Sequence, residues 1–429
     1  MSLSETLYAS TVGGLKAASP LLAWGSSKLA RGLRARRHAV EILADWAAAS
    51  RDPDRHLVWF HAASVGEALQ ARTVMEVLQE RRPDLQMVFT HFSPSAEAIA
   101  VRMPVDVAGY LPWDIADDAR AALDALRPSL LVFTQKEVWP TLTSEAARAG
   151  VGVALVAATL PEGAGRMRKW AWPVIGPALA KLDLVAAIDA SDGERFLAIG
   201  ARPGAVRVTG DPGVDSAWAR ASAADPCAPH LAPFQGDDRP TVVAGSTWEA
   251  DEVVLLSALR SIRAERAALR LVIAPHEPTQ ATVQRLATVL AAAGWHTATL
   301  GEVERDGDVG DTDAIVVDRV GVLADLYSVG RVAYVGGGFH AGGLHNVLEP
   351  AAAGRPTLIG PQYANSRAAA DLVQRGGVVT VHADGLGPAL ANWLDDSSAR
   401  ARAERAAADY VLEHRGAAER TVDLLEDLF

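Results

Sequence analysis

VGGGFHAGGLHNVLEPAAAGRPTLIGP, residues Val335 to Pro361, is the stretch on which the reading of the whole chain turns. An apolar run, Arg331 to Val335, feeds a turn carrying Gly336, Gly337, Gly338, Gly342 and Gly343, five glycines in eight residues. His345 and Asn346 follow. Val347 to Ala353 has the character of a helix closed by Gly354, and Pro356 to Ile359 reads as the next buried strand. Glycine permits positive φ and lets the backbone pass close to a ligand. A helix start offers unpaired N–H groups and partial positive charge, which suit a phosphate or carboxylate. The stretch therefore reads as the nucleotide-facing turn of a two-domain α/β enzyme. The plain alternative is a strand-to-helix connection that binds nothing.

Outward from this turn, short apolar runs alternate with helical patterns. Leu57 to Phe60, Met87 to Thr90, Leu130 to Phe133, Val153 to Val156, Leu184 to Ile188 and Val206 to Val208 read as strands. The stretch 221–240 breaks the rhythm with Pro226, Pro229, Pro233 and Pro240, and reads as a linker. Strand signals resume at Thr241 to Ala244, Leu271 to Ala274, Ala314 to Val317, Val332 to Val335 and Thr357 to Ile359. Strands alternating with helices predict parallel sheets, with ligands at the strand C-termini. The expected division is a segment 1–40, a Rossmann-like domain 41–220, the linker, a second Rossmann-like domain 241–397 and a helical segment 398–429.

The 429 residues suffice for two or three domains, and 49% apolar with 22% charged residues is an ordinary globular balance. A net charge of −11 argues against a nucleic-acid partner. One cysteine, Cys227, excludes an internal disulfide and a cysteine metal cluster. No run reaches the ~18 apolar residues of a spanning helix. At the N-terminus, Leu3, Leu7, Leu15, Leu21, Leu22 and Trp24 precede the basic residues Lys28, Arg31, Arg34, Arg36 and Arg37. That order suits a helix on an anionic membrane face, or an amphipathic helix packed on its own domain, and is the reverse of a signal peptide.

Several strand ends carry candidate chemistry. Glu67 closes HAASVGE and is placed either to take a proton from an incoming hydroxyl or to stabilise a helix start. Gly66 allows close approach, and Ser64 suits a helix cap. Glu137, in QKEVWP beside Lys136, is a second acid or an exposed loop charge; Trp139 reads as core. In TVVAGSTWEADE, Ser246 and Thr247 read as a phosphate site or a plain helix cap. His276 and Glu277 follow a buried strand and orient a ligand or form a turn. No HxxxH or HExxH spacing supports a metal at His61, His276, Glu277 and His345. Asn346 and Glu349 fit a capping pair, or Glu349 accepts hydrogen bonds from ribose hydroxyls.

In order, HAASVGE, HFSPSAE, YLPWD, RPSLLVFTQKEVWP, RVTGDPGVD, AGSTWEADE, LVIAPHEP and the long glycine-rich stretch resemble the 3-deoxy-D-manno-octulosonic acid (Kdo) transferases of lipopolysaccharide synthesis. GSTW, APHE and GLHN look like the branch found in Bacteroidetes-type bacteria. The resemblance implies a GT-B fold, two Rossmann-like domains facing a central cleft. It implies metal-independent inverting transfer without a cofactor, from CMP-Kdo to a lipid A precursor, at the cytoplasmic face of the inner membrane. It puts the general base on Glu67 and the second acid on Glu137. Nucleotide binding falls on Ser246, Thr247, His276, Glu277, Gly337, His345, Asn346 and Glu349; Ser64, Gly66 and Lys136 lie on the acceptor side. The sequence departs from the family pattern at Gly213, where a basic residue is usual, at Ala157, Thr159 and Pro161, and at Gln135, where a carboxylate is usual. These departures bear on the acceptor and on the sugar transferred. A sugar-nucleotide epimerase, built on the same kind of two-lobed fold, is the competing reading, and a non-catalytic nucleotide or lipid binder is a third.

Overall fold

Apolar residues that run continuously through a strand, without alternation, need cover on both faces, and parallel sheets provide it. The computed structural model describes residues 3–25, 27–161, 165, 171–266 and 268–429. It contains two such sheets, each of seven strands, all pairs parallel. The first comprises β1 (Leu57–Ala62), β2 (Gln86–His91), β3 (Val107–Tyr110), β4 (Leu130–Thr134), β5 (Gly152–Ala158), β6 (Leu184–Ala187) and β7 (Val206–Val208), in the order β3-β2-β1-β4-β5-β6-β7. The second comprises β8 (Thr241–Thr247), β9 (Arg270–Pro275), β10 (Thr297–Thr299), β11 (Ala314–Val316), β12 (Val332–Val335), β13 (Thr357–Ile359) and β14 (Val378–Thr380), in the order β10-β11-β9-β8-β12-β13-β14. The first sheet reverses its order between β1 and β4; the second does so between β8 and β12, and also has β11 inserted between β9 and β10. Such a switch point opens a crevice at the strand C-termini.

Both faces of the first sheet are packed. Leu57, Trp59, Leu131 and Phe133 enter one core, while Val58, Phe60, Val132 and Ala154 enter the other, as a period of two requires. One core in the second unit gathers Val242, Ala244, Leu271, Ile273 and Tyr334 under the helix Glu249–Glu265. The strands β3, β10 and β14 were not expected. All three are sheet edges of three or four residues, so they carry little apolar signal.

The division differs from the expected one. The two units are residues 1–216 with 416–429, and residues 217–415. Residues 1–40 belong to the first unit: Tyr8 donates to Asp114 at 2.8 Å and Lys16 pairs with Asp118 at 2.6 Å. Arg36 turns inward, 4.2 Å from the Phe92 ring and 4.9 Å from the Trp113 ring, and donates to the Leu111 carbonyl. Burial pushes its pKa down to about 10. Residues 221–240 belong to the second unit. The expected helical tail splits at Gly416, whose φ of +83° suits glycine. The helix Ser397–His414 stays with the second unit, and Ala417–Glu426 returns to the first, placing Ala418, Val422 and Leu425 in its core. Asp215 fixes the return by accepting the N–H groups of Gly416 and Ala418 at 2.6 and 2.8 Å. Leu425→Ala should cost about 2–5 kcal/mol in urea unfolding, as a buried truncation does. Leu412→Ala, on an exposed site, should stay within about 0.5 kcal/mol of the parent; equal effects would contradict the docking of the last helix.

Candidate active site

In the first unit, β1 ends at Ala62 and the helix Val65–Arg81 begins. Ser64 is its cap and Glu67 its third residue. Glu67 Oε2 accepts the N–H groups of Ala63 at 2.7 Å and Ser64 at 3.1 Å. The helix-stabilising reading is therefore satisfied by one oxygen. Oε1 has no hydrogen-bond partner among the described residues. Burial, and then the neighbouring Glu137, raise the Glu67 pKa above the ordinary carboxylate range; Lys136 works the other way. Glu137 and Lys136 lie in the turn after β4, across the switch point from Glu67. A Cβ on Gly66 would meet nothing, so this face is open.

Two of the positions that depart from the family pattern, Gln135 and Gly213, are linked through Gln70, three residues along the helix from Glu67. Gln135 donates to Gln70 Oε1 and Gln70 to Asp211 Oδ1, both at 2.7 Å. Asp211 Oδ1 also accepts the Gly213 N–H at 2.7 Å. A Cβ at Gly213 would stand 2.9 Å from that oxygen, so glycine keeps the amide chain closed. Gln135 and Ala157 both take positive φ, +61° and +50°, at these strand ends.

In the second unit, Asp251 organises the switch point. It is fully buried, at the third position of the helix Glu249–Glu265. Its Oδ2 accepts Trp248 N–H at 3.0 Å and Gly337 N–H at 2.8 Å; its Oδ1 accepts the Tyr334 hydroxyl at 2.9 Å and Phe339 N–H at 3.2 Å. The glycine loop is thereby tied to the helix start. A Cβ on Gly336 would strike the Ser246 carbonyl, and one on Gly338 would strike Gly360. Close backbone crossing is one reason for the glycines.

Four rings cover this loop. Trp248 lies 4.2 Å from His340 and 4.4 Å from His276, and His276 lies 4.4 Å from His345. Trp248 Nε1–H donates to His345 Nε2 at 3.0 Å. Ser246, with φ +55°, carries a hydroxyl with no hydrogen-bond partner among the described residues. Glu277, exposed, follows His276.

Three expectations differ here. No Ser/Thr cap starts the helix Glu249–Glu265, and the buried Thr247 hydroxyl turns to Glu252 at 3.3 Å. The helix after the glycine loop, Leu348–Ala352, has only five residues, and the loop's own N–H groups at Gly336, Gly337, Phe339, His340 and Gly342 to His345 are bonded within the protein, so neither is a row of open N–H donors. Asn346 and Glu349 do not form a capping pair: Asn346 Oδ1 accepts Leu348 N–H at 2.9 Å, while the Glu349 carboxylate has no hydrogen-bond partner among the described residues. Burial raises the Glu349 pKa, with Asp325 adding to it and Arg220 opposing. Asp251, Trp248 and His340 were not singled out in the sequence, because their roles arise from contacts with distant residues. Among the described residues no three His, Cys, Asp or Glu side chains come together to hold a metal.

Residues 34–216 match the family model described as 3-deoxy-D-manno-octulosonic-acid transferase (kdotransferase). A 3-deoxy-D-manno-octulosonic acid transferase of Bordetella pertussis is 31% identical over 400 residues, covering 86% of this chain and 87% of the relative. The chain belongs to the Kdo transferase family. A second member, from Haemophilus influenzae, is 26% identical, with 86% of each chain covered. Among solved structures, a UDP-GlcNAc 2-epimerase from Neisseria meningitidis aligns with a TM-score of 0.58 at 12% identity, over 87% of this chain and 99% of that one. That likeness concerns the fold alone, which is α/β of GT-B type. The epimerase reading thus shares the architecture and not the family.

Removal of the Asp251 carboxylate should show its organising role. Asp251→Ala leaves buried N–H groups without an acceptor and should cost about 3 kcal/mol or more in unfolding free energy. Amide exchange at Gly337 and Phe339 should accelerate with it; unchanged protection at both would contradict the assignment.

Proposed function

We propose that the protein is a metal-independent inverting transferase that moves Kdo from CMP-Kdo to a lipid A precursor at the cytoplasmic face of the inner membrane. The observation that carries this reading is the Glu67 carboxylate, with one oxygen fixed by two backbone N–H groups and the other without a hydrogen-bond partner among the described residues. Such a group is a pre-oriented base with a raised proton affinity. Oε1 would take the proton of an acceptor hydroxyl as that oxygen bonds to the anomeric carbon. The bond from that carbon to the CMP oxygen breaks, and CMP leaves with the electron pair. In the second unit, Glu349 would accept hydrogen bonds from the ribose hydroxyls. The imidazole donors beside the glycine loop would stabilise charge on the departing phosphate. Fixed donors of this kind make a metal unnecessary in the proposal. The chain Gln135–Gln70–Asp211, one turn along the helix from Glu67, would set the acceptor preference.

The membrane part of the proposal rests on the N-terminal helices. Leu21 and Trp24 are 84% and 92% exposed, and Leu7, Leu15 and Leu29 are exposed with them. No helix among the described residues is long and apolar enough to cross a membrane, so this surface would lie on the bilayer.

Glu67→Gln should lower turnover by roughly 100- to 10,000-fold, measured as CMP released, with CMP binding nearly unchanged. Turnover should also fall as pH drops through the raised Glu67 pKa, since the base acts only when ionised. Glu137→Gln removes a like charge and should move that acidic limb to lower pH; an unmoved limb would contradict the pairing. The double change Leu21→Ser and Trp24→Ser should weaken binding to vesicles containing anionic phospholipid by about tenfold or more. Unaltered binding would remove this surface from the proposal.

A further inference from the structure

The pairing of Trp248 with His345 carries information that neither ring carries alone. An indole N–H can only donate, so the nitrogen it meets cannot hold a proton. Trp248 Nε1 meets His345 Nε2 at 3.0 Å. The two ring planes are inclined by 16° with centroids 6.3 Å apart, a geometry that accommodates the N–H···N bond. His276 lies across both rings, 4.4 Å from each. A neutral His345 must therefore hold its proton on Nδ1. That nitrogen has no hydrogen-bond acceptor among the described residues.

The first unit contains the same pair with the opposite outcome. Trp139 Nε1–H donates to His61 Nε2 at 3.0 Å, but His61 Nδ1 is bonded to the Thr90 hydroxyl at 3.1 Å and the ring is wholly buried. Both nitrogens are used, and the pair is part of the core. At His345 the second nitrogen is left for something else. The neighbouring His340 is fixed in a related way: its Nδ1 accepts the Gly342 N–H at 3.0 Å, so its neutral form carries the proton on Nε2.

We propose that Trp248 is a positioning residue that locks His345 in its Nδ1–H form, and that this neutral imidazole donates to an anionic oxygen of the bound nucleotide sugar. The proposal rests on the reading of the second unit as a nucleotide-sugar site. The groups facing His345 keep it uncharged. Burial is the largest influence and His276 the next, with His340 in the same direction; Asp251 alone opposes them, and the pKa falls to about 4. The donor is thus present across the neutral range and does not depend on pH there. The shared chemistry is an anionic oxygen, which the donor could supply from its phosphate or from the sugar carboxylate.

The test uses the full chain with nitrogen-15 in its histidines. NMR of the ligand-free protein should show His345 protonated on Nδ1 and bare on Nε2. Trp248→Phe keeps a ring in the stack and removes the indole donor. His345 should then lose its single tautomer, and CMP should bind about two- to fivefold more weakly, since only the fraction of rings protonated on Nδ1 is competent to donate. Cytidine, without the phosphate, should bind equally to both proteins; a loss seen only with CMP-Kdo would point to the carboxylate as the oxygen. As a second pair, His345→Asn places an amide N–H near the Nδ1 position and His345→Gln near the Nε2 position, so the Asn variant should retain more CMP affinity. A wild-type ring protonated on Nε2 overturns the proposal. So does unchanged affinity for both CMP and CMP-Kdo in Trp248→Phe, or equal affinity in the Asn and Gln variants. The tautomer is read without a donor. Wild-type binding of UMP as tight as CMP would count against the proposed substrate and leave the tautomer result standing.

Discussion

The turn from the first strand of each unit to the helix that follows it exposes N–H groups that helix geometry cannot pair, and in a buried setting these must find an acceptor. Both units answer with a carboxylate at the third helical position, Glu67 in one and Asp251 in the other. The answers differ in what is left over. Asp251 commits both oxygens to protein donors, and the glycine loop is rigidly placed as a result. Glu67 commits only Oε2. The same constraint therefore yields a scaffold in the second unit and a reactive group in the first.

The histidine–tryptophan pairs extend this contrast. His61 and Trp139 are closed by Thr90 and belong to the core; His345 and Trp248 leave His345 Nδ1 without a partner among the described residues. Backbone strain marks the same regions. Gln135, Ala157 and Ser246 adopt positive φ without being glycine, each at a strand C-terminus. Such conformations cost free energy and persist where the surroundings over-determine them, commonly at functional sites. Gln135 follows β4 and Ser246 lies on β8, strands at the two switch points, while Ala157 lies on β5, the strand beside β4.

Much of this was legible in the sequence. Central strands such as Leu130 to Phe133 and Leu271 to Ala274 announce themselves as unbroken apolar runs because both faces are covered. The edge strands β3, β10 and β14 do not, since an edge buries less. Glu67 stood out as a carboxylate just after a strand, but its two roles could not be separated until the structure assigned one oxygen to each requirement. Asn346 and Glu349 looked like a capping pair, and only the five-residue helix beyond the loop shows why they are not. Asp251 looked like any acid in a first helical turn; its bonds to Tyr334, Gly337 and Phe339 cross more than eighty residues of sequence and leave no local trace. The split of the C-terminal helices was signalled by Gly416, a left-handed helix stop, but the return to the first unit is a tertiary fact.

The most direct measurement is a joint assay of both products after mixing the protein with CMP-Kdo and a lipid A precursor, with CMP quantified and the lipid analysed by mass and by NMR of the new glycosidic bond. The expected result is CMP appearing in step with Kdo-bearing lipid, with inverted anomeric configuration, and neither product without the precursor. CMP released at the same rate without lipid, or an isomerised nucleotide sugar with no lipid product, would contradict it.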